Sequence, residues 1–182
     1  MRVTTSGRDP AAHMTASGRK PRIVVGYDGS ELAKAALRGA AELFPGSPTV
    51  VVTVWEPGLG AMVAAGTGMD AAGALPLPPD PELVSEVDHA EEHHAAVVAR
   101  EGAQLAGSLG LDAEPHAIPG RLDVVDTIVD VASKRDARAV VIGSHGISGL
   151  RSRLLGSTSS RVLARCPLPV VVVRSAETRE SR

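Results

Sequence analysis

Between Val140 and Arg174 the chain reads "VVIGSHGISGLRSRLLGSTSSRVLARCPLPVVVVR", two β-branched runs enclosing a segment rich in glycine and small hydroxyl residues. Gly143 closes the first run, Gly146 follows after two residues, and Gly156 with Ser157 comes nine residues later, a G-x2-G-x9-G-S spacing. A glycine has no Cβ, so it admits a ligand or a second backbone at close range, or a positive φ. Where Gly156, Ser157, Thr158 and Ser159 enter a helix, the first backbone N–H groups lack intrahelical acceptors and lie at the positive end of the helix dipole. The hydroxyls of Ser157, Thr158 and Ser159 add donors at the same place, and the combination suits a phosphate. The segment matches neither common nucleotide fingerprint: it lacks the Gly-Lys-Ser/Thr ending of a P-loop and it lacks G-x-G-x-x-G. With no lysine placed to reach a β- or γ-phosphate, P-loop hydrolysis is disfavoured.

Other candidate chemistry is thinner. Asp28, in "YDGS", is a carboxylate at the end of an apolar run, but Asp-Gly-Ser is also ordinary turn and capping chemistry. Ser157 is open to two readings, a helix cap or a phosphate contact, because both use the same N–H groups. Arg151 and Arg153 fall in the nine-residue spacer and either neutralise phosphate or are solvated, and His145, between the motif glycines, faces ligand or solvent. His89 and His93 stand four apart beside His94 on an expected helix, yet no third metal ligand is evident and "HAEEH" is not H-E-x-x-H. A solvated polar face is the favoured reading there. "GSHGISG" lacks G-x-S-x-G, and no nucleophile, base and orienting acid can be named together, so no catalytic constellation is found. Cys166 is the sole cysteine, which excludes an intrachain disulfide and a Cys-rich zinc site. Preceding Pro167, it reads as a small packed hydrophobe.

These residues need elements to position them. "RIVVGYDGS" is a short strand stopped by turn residues, followed by a helix in "SELAKAALRGAAELF" with Ser30 as N-cap and Leu32, Ala35, Ala36, Ala40 and Leu43 at near-helical spacing. "TVVVTVW" is continuously apolar, as a parallel strand covered on both faces would be. Residues 56 to 81 form a long Gly, Ala, Met and Pro loop, read as an insertion in preference to a lid. An amphipathic helix follows over 81–110, ending near Gly107 or Gly110, and then a weak edge strand with prolines, "DAEPHAIPG". A helix in "RLDVVDTIVDVASKRDA", a strand in "RAVVIGS", a helix in "RSRLLGSTSSRVLARC" and a strand in "PVVVVR" complete the order. Strands alternating with helices imply right-handed crossovers and a mostly parallel sheet between helical layers, with ligands at the carboxyl ends of the strands.

The chain has 182 residues, enough for one substantial core. Its 19 basic and 21 acidic residues nearly balance and aromatics are 2%, which argues against nucleic acid and anionic membranes as partners. No apolar run is long enough to span a bilayer and residues 1–20 contain no secretory h-region, so a cytoplasmic location is expected. That stretch lacks periodicity and is expected to be a disordered tail, with Met14 an alternative start. The domain is expected over 21–175, with a short tail over 176–182.

On the glycine motif, "IVVGYDGSELAKAAL", "VVTVWE" and "CPLPVVVVR", the chain resembles the universal stress protein family, whose ATP-binding members carry G-2x-G-9x-G-(S/T) after the fourth strand. The resemblance covers roughly residues 21 to 175. It implies a three-layer α/β sandwich with a five-stranded parallel sheet of order 3-2-1-4-5, Rossmann-like and similar to the adenine nucleotide alpha hydrolase group. It also implies an ATP site, with Mg²⁺ on the phosphates. Asp28 would then lie near the adenosine, and the backbone at Val54 would hold adenine. The turn Gly143, Ser144, His145, Gly146 would flank ribose and phosphates, and Gly156, Ser157, Thr158 and Ser159 would hold the phosphate chain. Gly26, Tyr27 and Ile142 would line the pocket. A homodimer paired through the last strand is a further implication. Two alternatives stay open: a member acting by protein contacts without retained ATP, and a slow ATPase. A nucleotidyl-transfer relative is disfavoured, because "YDGSE" stands where an S-G-G-x-D-S type loop would be.

Overall fold

The computed structural model of the chain describes residues 20–58, 81–120, 123–144 and 156–174. Nine elements follow in order: β1 (Ile23–Gly26), α1 (Glu31–Leu43), β2 (Pro48–Trp55), α2 (Pro81–Ser108), β3 (Asp112–Pro119), α3 (Val124–Lys134), β4 (Ala139–Gly143), α4 (Ser157–Arg165) and β5 (Val170–Val173). The five strands form one sheet of order β3-β2-β1-β4-β5, with every pairing parallel. The expected tail over 1–20 except Lys20, almost all of the 56–81 loop and the 176–182 tail lie outside the described residues.

Strand alternation divides the central valines between two faces. Ile23, Val25, Val51 and Val141 meet Ala36, Leu37 and Ala40 of α1 and Ala103 and Ala106 of α2 on one side. Val24, Val50, Val52, Val140 and Ile142 meet Val125, Ile128 and Val131 of α3 and Val162 of α4 on the other. Both faces are therefore covered, which is why β1 and β4 are continuously apolar and β2 sets its valines beside two buried threonines, Thr49 and Thr53. Each fully buried aliphatic side chain contributes roughly 1.5–3 kcal/mol.

The α1 stripe differs in detail from the expected one. Ala33, Ala36, Leu37 and Ala40 are buried, whereas Leu43 is 59% exposed where the chain leaves the helix. Ser30 caps α1 as expected, its Oγ accepting from the Ala33 N–H at 3.1 Å. α2 ends as the glycine signal predicts: Gly110 takes φ +87° and the Leu111 N–H reaches back to the Ala106 carbonyl. Within α2, Gly102 lets the helix lie against the sheet, for a Cβ there would stand 2.6 Å from the Tyr27 ring and 2.8 Å from Val51. β3 is an edge strand, and Pro115 sits in it where a missing N–H is tolerated. At the other edge lies β5.

Helix α4 begins later than the sequence suggests. Gly156 has extended dihedrals, φ −60° and ψ 161°, so it is the N-cap and Ser157 the first helical residue. The capping role considered for Ser157 therefore falls to Gly156, while residues 151–155 lie outside the described region.

Candidate functional site

β1 and β4 are neighbours whose chains leave for opposite sides of the sheet, β1 toward β2 and β4 toward β5. A crevice opens above such a point. On the β1 side, the Tyr27 N–H continues the ladder to the Val52 carbonyl at 2.8 Å, and Thr53 Oγ1 donates to the Tyr27 carbonyl at 2.9 Å. Tyr27 is buried, and burial pushes its phenol above the ordinary value of 10.0. The chain then turns through Gly29 at φ +80°, a conformation natural to glycine. One carboxylate oxygen of Asp28 accepts from the Ser30 N–H at 3.0 Å, which fixes the acid at the N-terminus of α1.

On the β4 side, a Cβ on Gly143 would stand 2.9 Å from both the carbonyl carbon and oxygen of Leu32. Backbone cannot yield as a side chain does, so this motif glycine is demanded by the approach of α1 to β4 before any ligand is considered. Beyond it, the Ser144 N–H donates to Val173 at 2.9 Å and the Ser144 carbonyl accepts from the Gly156 N–H at 2.8 Å. Ser159 Oγ donates to the Gly143 carbonyl at 2.7 Å. These bonds tie the end of β4 to the start of α4. The buried Ser159 hydroxyl thus orients the helix, while Thr158 beside it is exposed.

The resulting cleft measures about 140 Å³ and is walled by Asp28, Val54, Ile142, Gly143, Thr158 and Ser159, with Gly26 and Tyr27 at the end of β1. Val54 is half-buried rather than fully buried because it faces this space. Its backbone lies two residues past the last β1–β2 pair, Gly26 with Val52, and on the same side, so it points toward the crevice. Eight of the expected site residues therefore meet at one place. Ser144 is buried close by, and Gly156 and Ser157 sit at the tip of α4, outside the lining. His145, Gly146, Arg151 and Arg153 lie outside the described residues.

Sequence reasoning missed Ala33, Val52, Val124 and Ile128, which also line the cleft. Val124 and Ile128 follow the cap Asp123 at one-turn spacing, a signal of an apolar face but not of where that face is aimed. Asp123 itself is a further find. Its carboxylate accepts from the Val125 N–H at 3.2 Å and pairs with Arg161 and Arg165, while Arg165 also pairs with Asp126 at 2.6 Å. This cluster bolts α3, the apolar wall, to α4, the helix whose N-terminus faces the cleft.

Away from the cleft, His89, His93 and His94 are exposed, with His89 Nδ1 2.7 Å from the Ser85 carbonyl. No group of three or more His, Cys, Asp or Glu able to hold a metal occurs among the described residues. Cys166 is half-buried and packs against the α3/α4 core. No described helix is long and apolar enough to cross a membrane.

The sheet order and the switch-point crevice place the molecule among doubly wound α/β proteins of Rossmann-like architecture. The model of the universal stress protein family matches residues 21–174, and the chain belongs to that family. It is 26% identical over 153 residues to the universal stress protein YxiE of Bacillus subtilis, covering 84% of this chain and 98% of that one. A universal stress protein of Mycolicibacterium smegmatis is 31% identical over 176 residues, covering 94% of this chain and 50% of its own length. Among solved structures, the protein MJ0577 superposes with a TM-score of 0.66 at 20% identity, covering 86% of this chain and 96% of its own. A universal stress protein in complex with cAMP gives 0.57 at 23% identity, over 86% and 98% of the two chains. One from Archaeoglobus fulgidus in complex with dAMP gives 0.52 at 25% identity, over 84% and 96%.

Proposed function

We propose that this universal stress protein binds ATP in the switch-point cleft and acts in the cytoplasm as a regulatory stress-response protein, by occupancy rather than by rapid turnover. The observation that carries the reading is the convergence of Asp28, Val54, Gly143 and Thr158 on one crevice at the carboxyl ends of β1, β2 and β4. Its residues fit the ligand by chemistry. Val54, Ile128 and Ile142 offer apolar surface to a purine, the Val54 backbone offers polar groups to its edge, and Asp28 offers an acceptor to ribose hydroxyls. Gly156 puts no side chain over the N-terminus of α4, so Ser157 and Thr158 can present backbone donors to phosphate there. No Lys or Arg lines the cleft among the described residues. Phosphate charge would then be balanced in part by Mg²⁺, which bound ATP ordinarily carries.

The cAMP and dAMP complexes of the two similar proteins support an adenine nucleotide as the class of ligand. Val170 to Val173 of β5, half-buried at a sheet edge, support the companion reading of a homodimer paired through that strand. Calorimetric titration with Mg·ATP tests the site. The wild-type chain is expected to bind saturably, while Gly156→Val and Asp28→Ala, each still folded by circular dichroism, lose binding. Unchanged affinity in both variants would overturn the assignment.

A further inference from the structure

At the opposite end of the sheet, where the strands begin, lies a larger concavity of about 650 Å³. Four cationic residues, Lys20, Arg22, Arg135 and Arg138, line it, and among the described residues Asp136 is the one acidic residue in the lining. The framework that presents them is well tied. Arg22 donates from Nη1 to the Arg135 carbonyl at 3.0 Å, and the Arg138 N–H donates to the Arg22 carbonyl at 2.8 Å. The turn between Arg135 and Arg138 ends α3 with Asp136 at φ +51°, its N–H on Ser133 and that of Ala137 on Ala132.

The charges themselves are poorly compensated. Arg135 pairs with Glu114 at 2.8 Å, outside the lining, and Lys20 donates to the Pro45 carbonyl at 2.9 Å. Arg138 is exposed, and its guanidinium has no hydrogen-bond or ion-pair partner among the described residues. Cations held around one concavity repel one another, and an anion seated between them removes that cost. The C-terminal carbonyls of α3 would oppose an anion, but Arg22 covers the Arg135 carbonyl. Pro48 and Leu168 supply apolar floor, and the volume lies within the roughly 300–1,000 Å³ typical of small-molecule sites. The contrast with the cleft at the other end, which no described cation lines, is direct.

We infer that this basic concavity is a second ligand site, for a small polyanion bearing phosphate or carboxylate groups, separate from the switch-point cleft. It stands independently of the ATP reading. The full chain is titrated calorimetrically at low ionic strength with inorganic tripolyphosphate and, separately, with citrate. Saturable binding of either is expected, insensitive to excess adenosine, and the one that binds tells phosphate from carboxylate chemistry. Arg138→Glu should weaken it roughly ten- to a hundredfold, the usual worth of one charge-assisted hydrogen bond. Asp136→Asn keeps a side chain that tolerates positive φ and removes the carboxylate, so it should tighten binding, a gain that unfolding cannot mimic. Absence of saturable binding to both probes would overturn the inference. So would affinities equal to wild type in both variants, since the polyanion would then be seated elsewhere.

Discussion

Gly143, the first glycine of the G-x2-G-x9-G-S spacing, answers to a packing constraint. A Cβ there would collide with the backbone of Leu32 at 2.9 Å, so Gly143→Ala must push the start of α1 away from β4. A cost of roughly 1–3 kcal/mol is expected from such overpacking, measurable by urea denaturation. Because Asp28 rides on that same start of α1, Mg·ATP affinity should fall with it. Ser159 makes a complementary case. Its hydroxyl is engaged by the Gly143 carbonyl, so Ser159→Ala should loosen α4 and lower stability by about 1 kcal/mol, the usual worth of a hydrogen bond. The spacing of the glycines was legible in the sequence. That Gly143 answers to Leu32, a residue more than a hundred positions earlier, was not, since only the fold brings them together.

At the scale of elements, the strands and several helix ends were legible because each carries local physics: β-branched runs, Ser30 as a cap, Gly110 as a stop. The start of α4 was legible only in part: the glycine and hydroxyl run read as a helix entry, but the helix-favouring "RSRLL" before it left the first turn open until the Gly156 dihedrals marked the cap. The α1 stripe was shifted for a related reason. In an alanine-rich helix, composition hardly marks one face from another, so the sheet decides that Ala33 and Leu37 turn inward and Leu43 outward. The α3–α4 bolt also escaped notice, since Asp123, Arg161 and Arg165 are far apart in sequence. Asp123→Ala should cost about 1–2 kcal/mol through removal of the helix cap, with little added by its half-exposed arginine partners. Asp123→Asn, which keeps a capping oxygen, should recover most of that stability in thermal denaturation. α2 offers a separate test: Gly102→Ala places a methyl against Tyr27 and Val51 and should lower the melting temperature by forcing the helix off the sheet.

For the whole molecule, the three layers and the sheet order followed from alternation of elements together with the family resemblance, whereas the two ends of the sheet differ in ways that alternation does not reveal. One end carries a cleft without described cations; the other gathers Lys20 and Arg22 from the segment before β1 and Arg135 and Arg138 from the turn between α3 and β4. On β3, level with Val52, burial first and the Arg135 charge second hold the His116 imidazole below its ordinary value of 6.5. The folded state therefore binds a proton less readily than the unfolded chain. The stabilising contribution is present above 6.5 and is lost as pH falls through the folded value. Denaturation midpoints should consequently drop on acidification below about pH 6.5, and His116→Gln should flatten that part of the profile. The most direct test of the central claim, that the switch-point cleft holds ATP, is equilibrium dialysis of the purified full chain against Mg·ATP. Saturable uptake is expected, stoichiometric with the chain and abolished in Gly156→Val. No uptake by the folded wild-type protein would contradict it.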